Sequence, residues 1–168
     1  MTDGAASVRG QIRLVHGVVS TDDILPARHK HRTVDPNEMG RWIFEHYDPE
    51  LRSRLTRGDG LLADDTFGIG SSREQAVSAL LSAGVSFVIA PCFGRIFFRN
   101  AWNLGLPAIE VDGISATEGE IAQIDLAAGS LTISATRHRI ARVHPRLLNR
   151  LQGGGLLQVL AREHLTAN

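Results

Sequence analysis

The clearest hydrophobic pattern lies between residues 61 and 111, where apolar blocks of strand length alternate with apolar positions at helical spacing. Leu61-Leu62-Ala63-Asp64-Asp65-Thr66 reads as a strand. Ala76, Val77, Leu80 and Leu81 then predict a helix over 72–83, closed by Gly84. Val85 to Ala90 is an apolar run of strand length, interrupted only by Ser86, and suits a parallel strand buried on both faces. Ile96, Phe97, Asn100, Ala101 and Leu104 mark a second helix, stopped at Gly105, and Leu106 to Val111 a third strand. This β-α-β-α-β order predicts a parallel sheet with right-handed crossovers. Ligands of such sheets collect at the carboxyl ends of the strands, where two strand-to-helix turns fall, around 67–76 and 91–95.

The flanks are less regular. Residues 1–7 read as a loose lead-in, and 8–168 as a single domain. Val8 to Val19 predicts a strand or hairpin. Ser20 to Arg28 is expected to be extended or turned, because Pro26 disfavours a helix just before it. Asp35-Pro36-Asn37-Glu38 opens a helix carrying Met39, Trp42, Ile43 and His46 on one face, with Trp42 and Phe44 expected in the core. Asp48-Pro49-Glu50 opens a shorter one. Beyond 111, Glu120–Leu126, Ser130–Ala135 and His138–Val143 alternate polar and apolar residues as short strands. A helix then starts at Pro145 and breaks at Gly153-Gly154-Gly155, and Leu156 to Leu160 is expected to end the domain on apolar packing.

Charge and cysteine usage narrow the options. Eighteen basic residues balance eighteen acidic ones, which argues against a dedicated nucleic-acid surface. Cys92 is the only cysteine. It excludes an internal disulfide, fits a reducing, cytoplasmic setting, and cannot hold an iron–sulfur cluster alone. Its expected role is that of a small packed hydrophobe. Residues 1–7 lack the basic start and apolar run of a signal peptide, and no apolar run reaches membrane-spanning length. His29 and His31 lack further ligands at usual spacing, so no metal site is expected. Arg95 and Arg99 share a helix face, which fits either a pocket or pairing with surface acids.

The turn Phe67-Gly68-Ile69-Gly70-Ser71-Ser72-Arg73-Glu74 carries the candidate chemistry. Gly68 and Gly70 permit positive φ or a close approach of backbone to ligand. With Ser71 as N-cap and Glu74 at N3, the turn is a capping box with a purely structural role. In the alternative, the Ser71 hydroxyl faces a dry site. Helix amides and the Arg73 guanidinium then lower the cost of an alkoxide, so that Ser71 takes a proton from carbon while Arg73 grips a carboxylate.

Three stretches in order carry a family resemblance: Ser20-Thr21-Asp22-Asp23-Ile24-Leu25-Pro26-Ala27-Arg28, Gly68-Ile69-Gly70-Ser71-Ser72-Arg73-Glu74-Gln75-Ala76, and Phe93-Gly94-Arg95-Ile96-Phe97-Phe98-Arg99-Asn100-Ala101. Together they resemble the aconitase swivelling domain, in the short separate form of 3-isopropylmalate dehydratase small subunits and homoaconitase-like enzymes. The likeness runs from about residue 8 to residue 160. It implies an α/β fold, a three-layer β/β/α swivelling domain built on the central parallel unit with short C-terminal strands. It also implies a larger partner subunit carrying a 4Fe-4S cluster, and a hydro-lyase that moves a hydroxyl between adjacent carbons by dehydration and rehydration.

Matched position by position, the resemblance makes Ser71 the base, with Arg73 and Ser72 holding the carboxylate or developing oxyanion. Asp22, Arg28, Arg32 and Gly70 fall at the substrate edge. The usual Cys-Gly-Ser-Ser-Arg-Glu-His-Ala has Ile69 and Gln75 here in place of cysteine and histidine, and the usual Asp-Thr-Asp is Ser20-Thr21-Asp22. The loop that meets the variable part of the substrate in this family is His29-Lys30-His31-Arg32-Thr33. A basic loop matches an extra carboxylate better than an isopropyl group, so homocitrate, citrate or a related acid stands beside isopropylmalate as substrate. A non-catalytic carboxylate-binding module is the reading of another class.

Overall fold

The computed structural model describes residues 7–30, 35–71 and 73–166. The chain opens with β1 (Ser7–Val15) and β2 (Val19–Ser20), followed by α1 (Thr21–Ile24), α2 (Ala27–Lys30), α3 (Pro36–Met39) and α4 (Pro49–Arg54). The central unit is β3 (Gly60–Ala63), β4 (Phe67–Ile69), α5 (Glu74–Ser82), β5 (Phe87–Ala90), α6 (Arg95–Leu104) and β6 (Ala108–Glu110). Then come β7 (Ile121–Asp125), β8 (Ser130–Ile133), β9 (Thr136–Arg139), α7 (Pro145–Gly153) and α8 (Leu156–Thr166).

Seven strands join in the order β6-β5-β3-β1-β7-β8-β9. The strand β1 is shared by two halves. Its residues Ile12–Val15 pair parallel with β3, and Ser7–Gln11 pair antiparallel with β7. The half β6-β5-β3-β1 is wholly parallel, as the alternation of strands and helices predicts. The β7-β8-β9 meander is antiparallel. A separate pair, β2 beside β4, runs parallel.

Burial explains the stability of the parallel half. Leu61, Phe87, Val88 and Ile89 are fully buried, and Ala76, Val77, Ala79 and Leu80 of α5 and Phe97 and Ala101 of α6 pack onto the same core. Each large aliphatic or aromatic side chain so buried contributes about 1.5–3 kcal/mol, against about 0–1 for an exposed ion pair. The core, not the surface charge, holds this domain.

Several sequence expectations change. Ser7 belongs to β1, not to a lead-in. No hairpin forms over 8–19, because β1 finds its partners in β3 and β7 and β2 joins β4. The segment after Ser20 is a helical turn, since Ser20 and Asp23 form a reciprocal capping box and Pro26 falls just beyond its end. The helix at Pro36 ends at Met39, before Gly40, and irregular turns follow to Tyr47, with Phe44 at φ 57. Phe44 is core as expected, whereas Trp42 is half-buried. The last meander strand starts at Thr136, two residues early, because Ser134 at φ 52 lets Ile133 pair directly with Thr136. Leu157 and Leu160 are exposed on α8 whereas Leu156 and Val159 are half-buried, so only part of the expected apolar packing forms. Cys92 is exposed too, because it lies in the loop between β5 and α6. Among the described residues no helix is long and apolar enough to cross a membrane.

Candidate active site

The serine turn is reached through β4, not through the strand at 61–63. β3 stops at Ala63, where Asp64 and Asp65 face solvent, and β4 turns away to pair with β2. This small sheet brings α1 beside the turn. β4 is fastened below by aromatic packing: Phe67 meets Phe97 edge-on at 5.4 Å, and Phe93 stacks on Phe97 at 6.1 Å. The chain passes so closely here that a Cβ at Gly94 would lie 2.2 Å from the Gly68 carbonyl oxygen. Glycine is required at that crossing.

The turn itself depends on Gly70, whose φ of +102° disfavours any L side chain. Two contacts then tie it to α1. The Thr21 hydroxyl donates to the Ser71 carbonyl at 3.1 Å, and the Arg73 Nη1 donates to the Asp22 Oδ1 in an ion pair. The Arg73 side chain is largely covered, at 14% exposure, and that of Asp22 is open at 54%. α1 is itself held by the Ser20 amide and hydroxyl donating to Asp23 Oδ2 at 2.7 and 2.6 Å.

The capping-box reading of the serine turn fails. The N-cap of α5 is Arg73, and no side chain bonds there. Ser71 lies two residues before the cap and is exposed. Among the described residues nothing occupies its hydroxyl, which is therefore available for chemistry rather than committed to ending a helix. The structure thus gathers Ser71, Arg73, Asp22 and Gly70 in one place, with Thr21 as a tie the sequence reading did not single out. Thr21 is 2% exposed. Its signal was its place between the capping serine and Asp22.

Arg28 lies in a different arrangement. Its Nη2 is 2.7 Å from Glu45 Oε2, and its Nη1 meets His46. These partners set the direction of its half-exposed guanidinium. His29 is not a loop residue facing a ligand. It is buried, stacks on Trp42 at 4.4 Å and 7°, and its Nε2 reaches Glu45 at 2.5 Å. Arg32 and Ser72 lie outside the described residues. Among the described residues no three His, Cys, Asp or Glu side chains gather as metal ligands.

The Glu45 carboxyl is held below the usual carboxylate range, chiefly by the hydrogen bond to His29, with burial opposing and Arg28 adding to the lowering. A depressed folded-state value stabilises the fold above the unfolded value, and this contribution is lost as pH falls. Glu45→Gln is therefore expected to destabilise the protein at neutral pH and by less near pH 3, as urea midpoints at the two pH values would show. An equal loss at both would contradict this.

Residues 34–113 match the family model for the aconitase C-terminal domain. Over 142 residues the chain is 41% identical to a 3-isopropylmalate dehydratase small subunit of Archaeoglobus fulgidus, covering 83% of this chain and 86% of that one. It is 36% identical over 154 residues to the corresponding subunit of Aliarcobacter butzleri, covering 90% and 92%. The crystal structure of a 3-isopropylmalate dehydratase from Methanocaldococcus jannaschii superposes with a TM-score of 0.86 at 32% identity, over 96% of this chain and 97% of that one. The mixed sheet with its parallel half is thus the aconitase-type swivelling fold.

Proposed function

The chain belongs to the family of 3-isopropylmalate dehydratase small subunits, and on that footing we propose that it serves a two-chain hydro-lyase interconverting 2-isopropylmalate and 3-isopropylmalate, a step of leucine biosynthesis in the cytoplasm. The observation that carries the reading is the free Ser71 hydroxyl, set beside a guanidinium that α1 holds in place.

In this reading Ser71 takes the proton from the substrate carbon adjacent to the one that loses hydroxide, leaving an alkene, and on rehydration gives a proton to the carbon that lost hydroxide while the hydroxyl joins its neighbour. Asp22 engages only one of the Arg73 donors, so the others remain for a substrate carboxylate. Asp22 acts as a positioning residue, fixing the fork's direction. Ser72 joins the clamp by resemblance alone. Gly70 leaves the turn without a side chain where the substrate would approach. Ser71 is exposed on the free chain, so water must be excluded by a second protein surface. That surface is the larger subunit, whose iron–sulfur cluster would act as the Lewis acid for the departing hydroxide.

The side-chain arrangement also bears on the substrate. His29 is buried against Trp42 and bonded to Glu45, so one of the four basic residues that argued against an isopropyl group is already committed. That leaves one basic residue fewer for a substrate than the composition of the loop suggests. The test is to co-express the chain with its larger partner and assay 2-isopropylmalate, homocitrate and citrate. Isopropylmalate is expected to lead in kcat/KM by at least about tenfold. A tricarboxylate in the lead would transfer the assignment to that acid.

A further inference from the structure

A cleft of about 380 Å³ lies between α6 and α7. Three guanidinium groups line it, Arg95 and Arg99 from α6 and Arg150 from α7. Among the described residues Arg95 and Arg99 have no acidic partner, so the surface-pairing expectation fails for both. Arg150 donates to Asn103 Oδ1 at 2.9 Å, which fixes it across the cleft. The one carboxylate in the wall, Glu110, accepts from the Phe93 amide at 3.2 Å. The sequence offers no other nearby acid from α7, since no Asp or Glu occurs between Asp125 and Glu163. Three gathered cations facing a single carboxylate favour an anionic occupant.

The cleft adjoins a second hollow of about 280 Å³, lined mainly by apolar residues such as Ala108, Ile109, Ile140 and Val143, with Glu110, Arg142 and His144 also in its wall. Trp102 and Phe98 line both. Trp102 is 4% exposed, and its indole N–H has no acceptor among the described residues. A basic mouth, a mainly apolar extension and an indole between them with an unpartnered N–H describe one kind of ligand. We propose that this groove binds a small amphipathic carboxylate, its head among Arg95, Arg99 and Arg150 and its apolar body past Trp102. None of these residues belongs to the serine turn, so the proposal does not depend on the reaction assigned above.

The test is a titration of the full chain, labelled with ¹⁵N, with hexanoate, hexanol and inorganic phosphate in turn. The readout is the Trp102 indole N–H resonance, distinguished from that of Trp42 by a Trp42→Phe variant. Hexanoate is expected to shift it saturably, at least about tenfold more tightly than either the uncharged alcohol or phosphate. The double variant Arg95→Ala/Arg99→Ala should weaken hexanoate by about tenfold or more, while Ser71→Ala should leave the titration unchanged. Both arginines are exposed, so the remaining resonances serve to show that the fold is retained. Arg150→Ala offers an independent reading of the opposite wall. No Trp102 shift with hexanoate, an undiminished shift in the double arginine variant, or phosphate binding as tightly as hexanoate would overturn the proposal.

Discussion

Replacing Ser71 by alanine is expected to lower turnover of the assembled enzyme by roughly 10²- to 10⁴-fold, the usual contribution of a positioned acid–base group. The fold should be indifferent to the change. The serine caps no helix, its hydroxyl has no partner among the described residues, and the turn is held by the Ser71 carbonyl, which alanine keeps. Unfolding midpoints and co-purification with the larger subunit should therefore match the parent. Steady-state kinetics of the complex and urea denaturation of the chain separate the two effects. A loss of stability equal to the loss of activity would return Ser71 to a structural role.

The second large effect is expected at Arg73. Arg73→Ala removes the fork for the substrate carboxylate and also leaves Asp22 facing that carboxylate without a counterion. Loss of charge-assisted hydrogen bonds together with new like-charge repulsion should lower kcat/KM by roughly 10²- to 10³-fold. Asp22→Asn should cost less, about tenfold, because the guanidinium remains and only its direction is loosened. The double variant is then expected to be better than Arg73→Ala alone, since the repelling carboxylate has gone. Kinetics on the four enzymes give the coupling directly. Simple additivity of the two losses would mean that Asp22 and Arg73 act independently of one another at the site.

Much of the parallel unit was legible because its strands are buried on both faces and its helices are amphipathic. Phe87 to Ala90, apolar at every position, fits a central strand, and Gly84 and Gly105 end their helices in the left-handed conformation. The less regular parts were decided by tertiary contacts that a local reading does not contain. Asp64 and Asp65 look like the end of one strand, yet they mark the place where the chain leaves the large sheet for the β2–β4 pair. β1 has an ordinary alternating pattern that does not reveal its two partners of opposite direction.

The site shows the same division. Ser71-Ser72-Arg73-Glu74 has the spacing of a capping box, but Arg73 takes the cap position, and the box forms instead at Ser20 and Asp23. The pairing of Asp22 with Arg73 spans fifty-one residues and depends on β2 lying against β4. His29 reads as one more basic loop residue, whereas Trp42 and Glu45, both distant in sequence, draw it into the interior. Spacing identified the residue types the chemistry needs. The small parallel sheet determines which of them meet.

The most direct measurement is a structure of the assembled complex with a substrate hydroxy acid bound. The account predicts the Ser71 hydroxyl oxygen about 3–3.5 Å from the carbon that loses its proton, with Arg73 on the carboxylate and Asp22 behind it. Ser71 turned away from that carbon, with another side chain in its place, would contradict it.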